Sequence, residues 1–283
     1  MGQKALMRSG VINIRAHPNS EYVYASLIQR AYQLKAGTKL RGDRYGVISL
    51  LNTDTLEAGF VEGILTTFTK VDTDSEWFDL ENLQEAAGEK VAEISIPENL
   101  YPNPKSFHFV FKLKSHKLFL QTYSKGDTLS IRDATRMFER LLQRSEIQRE
   151  FGDVKVTMVQ SRQSLDRIFA LEKITKVSIK IERPNADIFD GDFEERIQQH
   201  LAATGSRQFE VAYTAERGGS VNVSDEIRRV SQPALANGKI DVEGRTAEGK
   251  EKRSTNEHPE LRQMRYDTDE QTEAQAMRDI AGE

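Results

Sequence analysis

Residues 105–123 read KSFHFVFKLKSHKLFLQTY, and this stretch decides the fold class. Every second residue from Phe107 to Leu113 is large and apolar, which is the period of two that a strand with one apolar face shows. A short polar segment, residues 115–117, separates this run from a second apolar run at residues 118–123. The pattern predicts an antiparallel β-hairpin.

The segment after the hairpin predicts a helix that begins at Ser130 and ends near Arg144. Ser130 can act as an N-cap, because its hydroxyl can accept a hydrogen bond from the backbone N–H three residues later. Five apolar residues lie on one stripe of this helix: Ile131, Ala134, Phe138, Leu141 and Leu142. The stripe predicts that one side of the helix is buried against a sheet.

Further elements complete a β-β-α-β-α-β order. We expect a strand at residues 154–159, a short helix at 164–171 and a strand at 175–181. Helices that connect strands in this order usually cover one face of a sheet. The sequence therefore predicts an α+β fold of two-layer sandwiches, with mainly antiparallel sheets, helices on one face, and one or two linked units.

The chain on either side of this segment predicts the domain organisation. Residues 1–104 form an N-terminal α+β domain, with a strand at its start, a helix over residues 22–34 and two later strands. Prolines at positions 97, 102 and 104 mark its end. Residues 105–244 form a C-terminal α+β domain, and residues 245–283 form a charged C-terminal arm with a helix near its end.

The connection before residue 104 is acidic. We expect Trp77 and Phe78 to be tucked inward within it, and residues 91–96 to form a short strand. The polar residues around them are typical of a solvated surface.

Charge alternates in sign along the chain. Residues 1–50 contain 8 basic and 2 acidic residues, and residues 51–104 contain 2 basic and 12 acidic residues. Residues 105–183 contain 17 basic and 9 acidic residues, and residues 184–283 contain 13 basic and 21 acidic residues. Two explanations remain open: the blocks dock on each other, or the basic blocks share one face that binds a polyanion.

Composition excludes several classes of protein. The chain has 283 residues and no cysteine, so disulfide frameworks and thiolate metal sites are excluded. Its apolar runs are only a few residues long, far below the roughly 20 residues of a membrane span. We expect a cytoplasmic protein that does not contact a membrane.

Candidate binding residues come from the two basic blocks. Arginines recur at intervals of four along the predicted helix from Ser130, and a glycine-punctuated basic loop follows residue 34. Such residues bind phosphate groups, and the aromatic rings of Tyr45 or Tyr123 would stack on bases. The candidate nucleic-acid-binding residues are Lys35, Lys39, Arg41, Arg44, Arg132, Arg136, Arg140 and Arg144.

No motif indicates catalysis or a cofactor. Phosphate loops and nucleophile elbows do not occur in the sequence. We therefore predict no catalytic residue, no metal ligand and no cofactor. A cluster of carboxylates suits Mg²⁺, which prefers oxygen ligands, and keeps a metal-dependent nuclease as a remote alternative. The cluster consists of Asp72, Asp74, Glu76 and Asp79.

The order of elements from Phe107 to Ile181 resembles an uncharacterised bacterial and prophage family of unknown function. It is more distantly similar to the Rex A exclusion proteins of phage lambda. The stretch from Ala236 to Lys250, with Ser254, Thr255 and His258-Pro259 after it, resembles the same uncharacterised family. The resemblance implies a non-enzymatic DNA-binding protein in phage defence or prophage exclusion, acting as a homodimer.

Two main hypotheses of function follow. The first is a nucleic-acid-binding protein, with DNA as its partner, that contacts phosphates through its basic blocks and forms a homo-oligomer. The alternative is a protein-protein interaction or regulatory module whose basic and acidic blocks dock in an oligomer.

Overall fold

A computed structural model describes residues 4–17, 20–184 and 192–282 of the chain. The strands are β1 (Lys4–Arg15), β2 (Thr38–Arg41), β3 (Arg44–Asn52), β4 (Phe60–Thr69), β5 (Phe78–Asp79), β6 (Gln84–Glu85), β7 (Lys105–Lys112), β8 (Lys117–Ser124), β9 (Asp127–Thr128), β10 (Lys155–Met158), β11 (Lys173–Glu182), β12 (Gln208–Thr214), β13 (Gly238–Thr246), β14 (Gly249–Ser254) and β15 (Leu261–Asp267). The helices are α1 (Glu21–Gln33), α2 (Gly88–Ala92), α3 (Ile131–Leu142), α4 (Ser145–Phe151), α5 (Ser164–Phe169), α6 (Asp192–Ala203), α7 (Asp225–Asn237) and α8 (Glu273–Gly282). The α+β fold class with mainly antiparallel sheets is confirmed.

The larger sheet has the strand order β10-β1-β8-β7-β4-β3-β2. The long strand β1 organises it, because its first half pairs with β15, its second half pairs with β10, and its other edge pairs with β8. The predicted hairpin is confirmed as β7 and β8, which pair from Phe109 with Leu120 to Lys112 with Lys117.

Both faces of the larger sheet are covered. Alternate residues of β7, such as Phe107 and Phe109, are buried in the main core with α1, α3 and α4. Val110 and Phe119 point to the other face, where Met277 and Ile280 of α8 pack against them. The C-terminal arm thus contributes a strand at the edge of β1 and a helix at the second face of this sheet.

The larger sheet curls around α3. This helix contacts both β10 and β2, although these strands lie at opposite ends of the strand order. Ser130 caps the helix by accepting a hydrogen bond from the backbone N–H of Asp133, as its sequence predicts. Ile131, Met137 and Phe138 are buried on the side that faces the sheet.

The smaller sheet has the order β12-β11-β13-β14 and its own core. Alternate residues of β11, including Ile179 and Ile181, are buried in that core with Ala234 and Leu235 of α7. Lys180 and Glu182 occupy the intervening positions and therefore point to the opposite face of the strand.

Polar side chains join the two sheets. Asn13 of β1 donates from Nδ2 to Oδ1 of Asn237 at 3.1 Å, and Thr157 of β10 donates from its hydroxyl to the carbonyl of Ala236 at 2.8 Å. Gln160 donates from Nε2 to the carbonyl of Gly238 at 2.7 Å. These directional contacts fix the orientation of the smaller sheet relative to β1 and β10.

Hydrogen bonding continues across residue 104, since β4 pairs with β7. It also continues across residue 244, since β15 pairs with β1. The division into domains at 1–104, 105–244 and 245–283 stays a prediction about independently folding units. No helix in the part of the chain that the structure describes is long and apolar enough to cross a membrane.

The acidic connection differs from its sequence-based description. Residues 91–96 do not form a strand; α2 ends at Ala92 and a turn follows. Trp77 is half-buried, but the side chain of Phe78 is 64% exposed rather than tucked inward. The physical reason is that β5 and β6 pair only with each other, so no larger sheet offers Phe78 an apolar surface.

The close approach of α3 to the sheet yields a test. A Cβ atom added to Gly10 would lie 2.6 Å from Cγ1 of Ile131, so Gly10→Ala must push the first turn of α3 away from β1. We expect a loss of roughly 1–3 kcal/mol in the free energy of unfolding, measured by urea denaturation. Ile131→Ala removes the side-chain atoms that the new Cβ would meet. The double variant Gly10→Ala with Ile131→Ala should therefore lose less free energy of unfolding than the sum of the losses of the two single variants.

Gly88→Ala is the matched control, because a Cβ there would meet no atom within 4 Å and the residue begins α2. We expect it to leave stability unchanged or raise it by up to about 1 kcal/mol. Strictly additive costs of Gly10→Ala and Ile131→Ala would contradict the close packing described for α3.

Candidate nucleic-acid interface

The exposed side of α3 carries the arginines that the sequence spacing predicts. Arg132, Arg136 and Arg140 are exposed on the helix, and Arg144 is exposed directly after it. Their exposure follows from the buried stripe, because the apolar residues of an amphipathic helix face the core and leave the other side to solvent. The exposed side of α3 lies between the two edges of the curled sheet, β10 and β2.

The structure brings part of the basic loop to the same place. Arg140 donates from Nη1 to the carbonyl of Lys39 at 2.7 Å, which ties α3 to β2. Arg44 donates from Nη1 to the carbonyl of Thr128 at 3.2 Å, close to the start of α3. Two basic segments that are about ninety residues apart in the sequence therefore meet.

We define the α3 face by five guanidinium groups. They belong to Arg44, Arg132, Arg136, Arg140 and Arg144.

The other predicted binding residues lie around the edge of the sheet. Leu40 of β2 is buried toward α3, so its neighbours Lys39 and Arg41 point to the opposite side of this edge strand. Both are exposed, as is Lys35 in the turn between α1 and β2. The eight predicted residues thus form one face and a neighbouring edge rather than one flat patch.

Ion pairs of the α3 face are local and weak. Arg136 lies 3.8 Å from Oδ1 of Asp133, and Arg144 lies 3.7 Å from Oε1 of Glu146. Exposed pairs at such distances contribute little, on the order of 0.2–1 kcal/mol. Within the described ranges, no ion pair joins the α3 face to residues 51–104. These guanidinium groups therefore keep donors that a phosphate can use.

The predicted stacking residues belong to aromatic contacts of their own. Tyr45 is half-buried and stacks on Phe68, with ring centroids 6.3 Å apart. Phe68 in turn stacks on Tyr101 at 4.6 Å. Tyr123 packs under the guanidinium of Arg8 at 5.8 Å. Sequence reasoning missed Phe68, which becomes a neighbour of Tyr45 through the pairing of β3 with β4, and Tyr101, which stacks on Phe68 from the connection before β7.

A cavity of about 400 Å³ lies beside the α3 face. Arg132 and Arg136 line it from α3, and Lys180 and Lys239 line it from the smaller sheet. Glu182 and Glu257 are its carboxylates. Sequence reasoning missed both lysines, because nothing in the order of residues shows that position 180 pairs with position 239.

Two of the four carboxylates that motivated the nuclease alternative, Asp72 and Asp79, accept local hydrogen bonds. Asp79 accepts hydrogen bonds from Lys90 at 2.8 Å and from Asn82, and these bonds hold the pKa of Asp79 well below its usual range. Within the residues that the structure describes, no three His, Asp or Glu side chains form a group that could hold a metal ion. The arrangement around Asp79 therefore adds no support to metal-dependent cleavage.

Comparison with known proteins matches the chain to a protein family. No curated protein and no solved structure is significantly similar to the chain. A model of a domain of unknown function, DUF4747, matches residues 7–282, which is nearly the whole chain. The expected membership of an uncharacterised family is thereby confirmed, and the similarity to Rex A stays a prediction. The chain belongs to the DUF4747 family, defined by a domain of unknown function.

Proposed function

We propose that this protein binds nucleic acid, with DNA as the expected partner, by placing the phosphate backbone on the α3 face. The observation that carries the proposal is that Arg140 bonds to the backbone of β2 and Arg44 bonds to Thr128 just before α3, so that the two basic segments lie side by side. Clustered guanidinium groups attract phosphates even when the whole protein has a negative net charge, here -4.

The proposed binding does not depend on a catalytic group. Phosphate contacts fix the register and orientation of a nucleic acid but carry no sequence information. The α3 face offers guanidinium groups and no obvious base-reading surface, so we expect weak sequence preference. A role in phage defence or prophage exclusion rests on the resemblance to Rex A proteins alone.

The double variant Arg136→Glu with Arg144→Glu tests the proposal. Both side chains are exposed, and their ion pairs are weak and local, so stability should change by no more than about 0.5 kcal/mol for each. Binding to a duplex should weaken, and the plot of log affinity against log salt should become shallower by about two units. A mobility-shift titration at several salt concentrations measures both quantities.

The matched control is Lys114→Glu with Lys250→Glu, which changes the charge equally. Lys114 is exposed in the turn between β7 and β8, and Lys250 is exposed in β14, where it pairs with Arg245. Neither residue belongs to the α3 face. This control variant should leave the slope of log affinity against log salt unchanged. Equal effects of the two double variants would mean that only net charge matters, and would remove the α3 face from the proposal.

A second candidate function is docking between copies of this protein through the acidic connection. No residue from Val71 to Pro104 is buried. Phe78, Leu80 and Leu83 are 64%, 79% and 71% exposed. Nine acidic residues and one basic residue accompany them in the same stretch. Several exposed apolar side chains with a polar surround are typical of a protein-protein contact.

Self-association provides the test of this candidate. We expect the parent protein to exceed the mass of a monomer in light scattering, and the triple variant Phe78→Ser, Leu80→Ser, Leu83→Ser to be a monomer. Tyr22→Ser with Leu261→Ser is the control, because both side chains are also exposed, by 80% and 60%, but lie elsewhere. A parent that is monomeric at every salt concentration would count against docking between copies.

A further inference from the structure

The cavity beside α3 has the size and position of a ligand site. Its volume of about 400 Å³ falls within the range of small-molecule sites, roughly 300–1,000 Å³. One wall is α3 and β10, and the other is the face of β11 and β13 that points away from the core of the smaller sheet.

Like charges are adjacent on both walls. Lys180 of β11 and Lys239 of β13 are direct cross-strand partners, an arrangement that destabilises a sheet. Arg132 and Arg136 are four residues apart on α3, where like charges also repel. The fold tolerates two unfavourable pairs that face one another across the same space.

Glu182 and Glu257 line the cavity and Asp241 lies beside Lys239, so three carboxylates compensate the four cations only in part. Asp241 holds Lys239 at 2.6 Å, and hydrogen bonds from Lys239 and Ser254 keep the pKa of Asp241 low although its burial raises it. Glu182 is held at 3.2 Å by Arg15, whose side chain is 1% exposed. Glu182 therefore neutralises Arg15, and among the ion pairs within the described ranges none includes Lys180.

Arg132 is fixed in place at the cavity. It donates from Nη2 to the carbonyl of Asn256 at 2.9 Å and so links α3 with the segment after β14. A guanidinium has five N–H donors, so this bond leaves others for an anion. The remaining lining adds Ser254 and Asn256 as polar groups and Val156 and Met158 as apolar ones.

We propose that this cavity binds a phosphate monoester carried on a nucleoside-sized body. Lys180, Arg132 and Arg136 supply the positive charge for the phosphate, and the mixed lining accommodates the body. Two sources have this chemistry: a free nucleotide and the 5′-phosphorylated end of a nucleic acid strand. The site shares Arg132 and Arg136 with the α3 face, and Lys180 and Lys239 on the other wall belong to the cavity alone.

Calorimetric titration with adenosine 5′-monophosphate tests the proposal, with adenosine and inorganic phosphate as reference ligands. We expect the monophosphate to bind at least about tenfold more tightly than adenosine, because adenosine lacks the charge that the cations recognise. Lys180→Met should weaken binding of the monophosphate at least about tenfold. Lys180→Arg should retain most of the affinity for the monophosphate.

Lys176→Met is the matched control. Lys176 lies on the same strand and points to the same side as Lys180, but it does not line the cavity. We expect the affinity of Lys176→Met for the monophosphate to stay within about twofold of that of the parent protein. The melting temperature of Lys180→Met without ligand should equal or exceed that of the parent, because the change relieves the repulsion from Lys239.

Two oligonucleotides distinguish the sources. If a 5′-phosphorylated strand competes with the monophosphate and the 5′-hydroxyl strand does not, the site takes strand ends. If neither competes, the site takes free nucleotides, and the proposal still holds.

Two results would overturn it. One is no binding of the monophosphate by the parent protein; the other is equal binding by the parent and Lys180→Met. Neither depends on Arg136→Glu with Arg144→Glu, so failure here and failure of backbone binding on the α3 face remain distinguishable.

Discussion

The seating of α3 inside the curled sheet is the constraint on which the rest of the structure depends. Glycine at positions 10 and 46 makes it possible, because a Cβ at either place would collide with Ile131 or with Sδ of Met137. The helix can therefore lie close to β1 and β3 while it also contacts the two edge strands. Once one side of α3 is enclosed in this way, its arginines have only the opening between the edges to occupy.

Polar contacts between the two sheets, rather than a continuous apolar core, set the position of the smaller sheet. Arg15 is almost fully buried there and bonds to Glu182 and to the carbonyl of Arg183. Buried charges of this kind contribute little net stability, but removing one partner is costly because the other is left uncompensated. Such contacts favour one relative orientation, and that orientation places β11 and β13 opposite α3 with a cavity between them.

Local patterns in the sequence predict strands and helices well where the period of the apolar residues and the capping residue indicate the same element. The alternation around Phe109 predicts the hairpin, and Ser130 with the apolar stripe predicts α3 within two residues at its end. The helix α7 is missed because Pro233 lies inside it. The strands β14 and β15 are missed because their residues are mostly polar, and β15 is stabilised by pairing with β1 rather than by an apolar face.

The candidate site is predictable only in the part that is local. The spacing of the helix arginines is visible in the sequence, whereas the pairing of Lys180 with Lys239 is a property of register between strands. The alternating charge blocks indicate that basic segments could meet, but not which side chains do so. Lys39 and Arg41 show the limit of prediction from the sequence. They belong to a basic segment beside a basic helix, yet their side chains point to the other side of the strand.

Arg140 and Arg44 hold the curled sheet together as well as carrying charge. Arg140 is exposed, yet its guanidinium donates to the carbonyls of Lys39 and Leu40 and so holds an edge strand against α3. Arg44 likewise bonds to Thr128 and to the hydroxyl of Thr67. Because the same groups close the curled sheet and face solvent, a change at either residue alters the shape of the α3 face as well as its charge. Arg136 and Arg144 separate these two effects, since their ion pairs stay within α3 and α4.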